Sequence, residues 1–185
     1  MSRVILGITG ASGGIYATRL AMHLKKLGHE VWAIPTETAR KVLDYEKQTD
    51  VFSYCDGIWD VNDFFAECAS GSSSFVGMVV VPCSMGTLGK MANGIADNLL
   101  SRSADVCLKE RRPLVIVPRE MPYHAIHLEN MLRLTHAGAI VIPACPHFYN
   151  HPDSIESLVD TVVAKILSHL GIPHSLSPTW GAPNA

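Results

Sequence analysis

Residues 3–35 read RVILGITGASGGIYATRLAMHLKKLGHEVWAIP, and this stretch decides the fold. Arg3 to Ile8 is an apolar run of strand length. Thr9 to Gly14, TGASGG, is a tight glycine-rich turn. Ile15 to Leu27 then sets Leu20, Leu24 and Leu27 on one helical face, and Gly28 stops the helix. Glu30 to Ile34 is a second strand, broken by Pro35. Strand, turn, helix and strand in this order make a βαβ unit, which implies a parallel sheet with right-handed crossovers.

The pattern continues outward. Thr36 is an N-cap for a helix through about Glu46. Residues 48–77 carry no clean period and include a polar small-residue loop, ASGSSS. Met78 to Val81 is a third strand, ending in Pro82-Cys83-Ser84. Helices are expected over Met85 to Ala92 and Asp97 to Arg111, then a strand over Leu114 to Val117. His124 to Ala137 reads as a helix burying Ile126, Met131 and Leu134. Ala139 to Ile142 is the last strand. Pro152 to Leu170 holds an apolar stripe from Ile155 onward. The remaining tail, through Trp180, is proline-rich and expected to be extended. Alternating strands and helices give an α/β fold: a three-layer, doubly wound parallel sheet, Rossmann- or flavodoxin-like. Residues 1–185 read as one domain with an extended tail from about residue 172.

Composition narrows the function. Hydrophobic residues make up 48% of the chain, as in a globular protein. A formal charge of −2 without a basic block gives no electrostatic support for binding nucleic acid or a membrane surface. The five cysteines are odd in number and lack metal-type spacing, so they read as reduced core thiols of a cytoplasmic protein. Among the nine histidines there is no HExxH and no carboxylate-linked set, so no metal site is expected.

Two stretches have the chemistry of an anion site. Gly10-Ala11-Ser12-Gly13 follows a strand and opens a helix, whose first N–H groups are unpaired and partly positive. A phosphate or flavin edge fits there, and so does a tight turn without a ligand. Ser84-Met85-Gly86-Thr87 repeats the arrangement after the third strand. Two cradles at adjacent strand ends suggest a mononucleotide, while GITGASGG does not meet the G-x-G-x-x-G dinucleotide spacing. Residues 102–120, RSADVCLKERRPLVIVPRE, add charge: Arg102, Asp105, Lys109 and Arg112 share a helical stripe, with Asp105 and Lys109 spaced as an ion pair. Lys109, Arg119 and Glu120 are assigned to a ligand crevice, and Arg111 and Arg112 to the surface or a subunit contact. Tyr149 offers a hydroxyl to a phosphate or simply packs. By spacing alone Lys165 is a solvated residue, and Cys83 is core.

GITGASG, ASGSS, PCSMGTL, RSADVCLKERRPLVIVPREMP, IHLENM and PHFYNHP, in this order, resemble the UbiX/Pad family of flavin prenyltransferases. The resemblance implies transfer of a dimethylallyl group, without metal, from dimethylallyl phosphate to N5 and then C6 of reduced FMN. The prenylated FMN would serve a UbiD-type decarboxylase, and the enzyme would be a dodecamer. By the same resemblance Gly10, Ala11, Ser12, Thr36, Ser84, Met85, Gly86, Thr87, Arg102 and Arg119 fall on FMN positions. Ser70, Lys109, Arg119, Tyr149 and Lys165 fall around the prenyl phosphate, with Trp180 nearby. Ser12, Glu46 and Glu120 fall on positions that move protons or steady the flavin, Glu46 being the first candidate base. Lys165 departs from the usual arginine and loses its planar fork; Thr36 replaces serine and keeps the hydroxyl. The competing readings are a cysteine-type decarboxylase, disfavoured because PCSMGT stands where that group has PASANT, a non-catalytic FMN carrier, and an NAD(P) oxidoreductase.

Overall fold

A computed structural model describes residues 2–176. Six parallel strands form one sheet in the order β3-β2-β1-β4-β5-β6. They are β1 Arg3–Ile8, β2 Glu30–Pro35, β3 Gly57–Ile58, β4 Gly77–Cys83, β5 Leu114–Pro118 and β6 Ile140–Val141. The helices are α1 Gly14–Lys26, α2 Glu37–Tyr45, α3 Met85–Ala92, α4 Leu99–Lys109, α5 Ala125–His136 and α6 Ile155–His169. Strand alternation divides the core in two. Val4, Leu6 and Ile8 pack with α1, α2 and α6 on one face. Ile5, Met78 and Val80 pack with α3, α4 and α5 on the other. This is the doubly wound three-layer arrangement expected, with its order reversing between β1 and β4.

Several boundaries moved for local reasons. Pro35 does not break β2: as its last residue it pairs in register with Ile8, where a missing N–H costs little. β4 runs through Pro82 to Cys83 with a register shift against β5. β3 is two residues long, too short to show a period. Helix α4 begins at Leu99 because Asn98 and Ser101 form a reciprocal capping box, and Ser154 with Ser157 does the same for α6. Ile126 and Ile155 are exposed rather than buried, each lying within the first two residues of its helix. Trp180 and the tail beyond residue 176 fall outside the described residues.

An ionic cluster joins α1 to α6. Arg19 Nε donates to Asp160 Oδ1 at 2.8 Å, its Nη2 donates to Oδ2, and His23 Nε2 lies 3.1 Å from Oδ2. Burial of the Asp160 carboxyl opposes ionisation, but the bonds from Arg19 and His23 outweigh it and hold the group at a pKa of about 2. A depressed carboxylate adds stability above its unfolded pKa and loses it as pH falls through the folded value. Asp160→Asn is therefore expected to cost on the order of 2 kcal/mol at pH 7. In urea titrations the gap to the wild type should close between about pH 4 and pH 2; a gap that stays constant across that range would count against this account.

Candidate functional site

The reversal point puts the turn after β1 beside the turn after β4, at the carboxyl edge where open α/β sheets bind ligands. Thr9 ties the two turns: its Oγ1 donates to Pro82 O at 2.8 Å and accepts from Ser84 N at 2.7 Å.

The first turn is partly filled from within the chain. Two of its amides are already taken, because Glu46, the C-cap of α2, turns its carboxylate onto the start of α1. That carboxylate accepts from Gly13 N at 3.0 and 3.1 Å and from Gly14 N at 2.7 Å. The N-terminus of α1 is thus filled by a side chain of this chain. Gly13 sits at φ +107°, where side chains are strained, and this aims the two N–H groups at Glu46. Gly10 is glycine for packing: a Cβ there would lie 2.4 Å from Thr38 Cγ2. Thr36 caps α2 through its own hydroxyl, accepting from Ala39 N at 3.1 Å.

Burial pushes the Glu46 carboxyl up, but the Ser12 hydroxyl, the Gly14 and Gly13 amides and the charge of Arg119 more than offset it. Glu46 is held below the usual carboxylate range and stays ionised at neutral pH. Arg119 follows β5 directly, its backbone N–H on Cys83 O at 3.2 Å and its Nε on Ser12 O at 3.0 Å. Its Nη atoms make no hydrogen bond among the described residues. Glu120 is exposed next to it and accepts from Met121 N.

The second turn is open. Ser84 Oγ accepts from Thr87 N and Ser84 O from Leu88 N. The N–H groups of Met85 and Gly86 have no partner among the described residues, and Gly86 is exposed with nothing within 4 Å of an added Cβ. Unpaired first-turn amides suit one phosphate. With Arg119 alongside, the crevice fits a mononucleotide.

The other predicted residues lie elsewhere. Helix α4 runs antiparallel to β5, so Lys109 ends at the amino edge of the sheet. Six residues of near-extended chain from Pro113 to Arg119 place the two cations roughly 15–20 Å apart. Lys109 pairs with Glu110, not Asp105, which takes Arg102 Nη1 at 2.7 Å. Ser70 lies near Lys109, in the loop before β4 that meets the end of α4. Lys165 is exposed on α6, across the sheet from α4. Tyr149 is exposed after β6, its ring parallel to His147 at 4.0 Å between centroids. One chain therefore brings together Ser12, Glu46, Ser84–Thr87 and Arg119, and does not unite them with Lys109 or Lys165. Cys83 is buried and its thiol pKa is raised by burial, as a core residue's should be. Sequence reasoning missed Thr9 and the seating of Glu46 on α1; neither leaves a local pattern. It assigned Arg112 to the surface or a subunit contact, and did not show that its guanidinium lies half-buried against Phe75.

A 3-2-1-4-5-6 parallel sheet with one open phosphate cradle at its reversal point defines a mononucleotide-binding α/β protein. Residues 1–167 match the family model described as Flavoprotein. Relatives named flavin prenyltransferase UbiX are 46% identical in Methanothermobacter thermautotrophicus (96% of this chain, 94% of that one) and 47% identical in Methanocaldococcus jannaschii (97% and 98%). A UbiX crystallised with FMN and dimethylallyl pyrophosphate superposes with a TM-score of 0.93 at 37% identity, covering 99% of both chains. A dodecameric FMN-dependent UbiX-like decarboxylase from Escherichia coli O157:H7 gives 0.92 at 39%, covering 97% of this chain and 100% of that one. The chain belongs to the flavoprotein family and, within it, to the UbiX/Pad-type flavin prenyltransferases.

Proposed function

We propose that this protein transfers a dimethylallyl group from dimethylallyl phosphate to N5 and C6 of reduced FMN, as one domain with its tail. The observation that carries this reading is the convergence of Arg119 and an ionised Glu46 on the Ser12–Gly14 turn, beside the open start of α3. The FMN phosphate takes the free Met85 and Gly86 amides with the Ser84 and Thr87 hydroxyls. Gly10, Ala11 and Thr36 wall that side of the site, and Arg102, committed to Ala69 O and Asp105, goes with the Ser70 loop. When bound, reduced flavin supplies an electron-rich ring that attacks the allylic carbon. Arg119 and Lys109 neutralise the leaving phosphate, with hydrogen bonds from Ser70 and Tyr149. Glu46 takes the proton released at ring closure, relayed by Ser12, and Glu120 steadies the flavin edge.

Because Ser70 and Lys109 lie at the opposite edge from Arg119, a complete site needs a neighbouring copy to supply them, with Lys165 reaching the same junction. The dodecamer in the E. coli relative supports such an assembly. The product would pass to a UbiD-type decarboxylase, and the free cysteines are consistent with a cytoplasmic setting. No described helix is long and apolar enough to cross a membrane.

Incubation with FMN, a reductant and dimethylallyl phosphate, followed by mass spectrometry, tests the reading. The expected result is a flavin heavier by one C5 unit. Unchanged FMN with both the monophosphate and the pyrophosphate would overturn it, and release of carbon dioxide from an aromatic acid by the purified protein alone would favour a decarboxylase. Lys165→Arg restores a planar fork and is expected to keep kcat while lowering the donor KM by about 2–5-fold. Steady-state kinetics with varied donor check this.

A further inference from the structure

The loop that carries Ser70 is held at its backbone by the side chains of α4 and the turn after it. Arg102 Nε donates to Ala69 O at 3.1 Å, and Arg112 Nη2 donates to Gly71 O at 2.6 Å. These two carbonyls bracket Ser70. Arg112 reaches its place because the chain reverses after α4: Arg111 adopts φ +57° and Arg112 N bonds back to Cys107 O at 2.9 Å. Its guanidinium then lies over the Phe75 ring at 4.4 Å, with Nη1 buried and without a partner among the described residues. Among the described residues, the hydrogen bond of its guanidinium goes to the loop.

Gly71 completes the contact. A Cβ there would lie 2.2 Å from Glu110 Oε1 and 2.7 Å from Lys109 Nζ. The loop therefore rests directly on the Lys109–Glu110 pair, and the missing side chain at 71 is the space the pair occupies. On top of this support Ser70 and Lys109 are both exposed, Ser70 Oγ lying 2.8 Å from Ser72 Oγ. A polar loop of small side chains has little apolar area of its own to fix its position. Displacements near 1 Å weaken phosphate contacts steeply.

We infer that Arg112 is a positioning residue for the donor: by gripping Gly71 O and stacking on Phe75 it sets the 69–75 loop on Lys109, so that Ser70 and Lys109 meet the prenyl phosphate together. This rests on the proposed prenyl transfer, and gives a specificity role to a residue that touches neither substrate.

The test uses the full-length protein as purified, with reduced FMN saturating and dimethylallyl phosphate varied. Arg112→Ala is expected to raise the donor KM about tenfold or more, with kcat within about threefold and FMN affinity within about twofold of wild type. Arg112→Lys should recover part of the KM, since an ammonium reaches a carbonyl but does not stack as a plane. Gly71→Ala should raise KM in the same direction by displacing the loop from the Lys109–Glu110 pair. A donor KM within twofold of wild type in both Arg112→Ala and Gly71→Ala overturns the inference. So does a loss shared equally by donor KM, FMN affinity and melting temperature, which marks plain destabilisation. If Arg112→Ala does not fold, Arg112→Lys and Gly71→Ala decide by the same criteria. A wild type that forms no C5 adduct overturns the transfer reading instead, so the two failures are distinct.

Discussion

Arg119→Ala is expected to lower kcat/KM by about 10²–10³-fold while moving the melting temperature by no more than about 2 °C. The asymmetry follows from where the side chain sits. Its backbone belongs to the end of β5 and keeps its bond to Cys83 O in the variant. Its side chain gives the fold one hydrogen bond, Nε to Ser12 O, at the partly open carboxyl edge. The Nη atoms are uncommitted among the described residues, and a planar guanidinium with two free donor faces matches a phosphate through paired bonds. The charge also helps hold Glu46 ionised. Its loss thus removes the leaving-group contact and the smallest of the interactions that hold Glu46 ionised. Arg119→Lys should recover part of the activity, because it keeps the charge and loses the fork. Kinetics alongside thermal unfolding check the pair; parallel losses of activity and stability in Arg119→Ala would show a structural residue instead.

Glu46→Gln is expected to reduce turnover about 100-fold and to cost about 1 kcal/mol of stability. The carboxylate accepts from Gly13 N and Gly14 N at once, with Ser12 contributing as well. A glutamine has one acceptor oxygen, loses the charge, and in place of Oε1 turns an NH2 toward the Gly13 amide. It also cannot take a proton. The sign of the pH effect is set by the lowered pKa: the stability Glu46 adds is present above the unfolded carboxylate value near 4.3 and is lost as pH falls below it. Wild type and variant should therefore approach one another in stability below about pH 4. At pH 6–8 Glu46 remains ionised, so its titration should leave no inflection in kcat there. Turnover of the variant within threefold of wild type would remove Glu46 from the chemistry.

Much of the site could be read locally. Thr36 was identified as a cap from one hydroxyl before a helical run, and it caps α2. The Ser84–Thr87 cradle needed only a strand, a proline and a small-residue helix start, and it is present and open. The Gly10–Gly13 turn was also visible, but its use was not. A glycine-rich helix start has the same sequence whether a ligand's phosphate or a protein carboxylate fills it. The carboxylate that does so stands more than thirty residues away, outside any periodic pattern. The hold of Arg112 on the loop is hidden for a related reason. On a helical projection Arg112 continues a charged stripe, whereas the chain has already left the helix and folded the side chain under a loop.

The sequence by itself determined the layered α/β architecture, the two turns at the reversal point and the cationic residues available for a phosphate. Each of these depends on short-range periodicity, capping or residue type. Only the tertiary structure decided that Glu46 occupies the start of α1 and that α3 keeps the free cradle. It also decided that Lys109 and Arg119 stand at opposite edges of the sheet. Those facts arise because antiparallel packing of α4 on β5 separates residues ten apart in the chain, while sheet order joins residues distant in it.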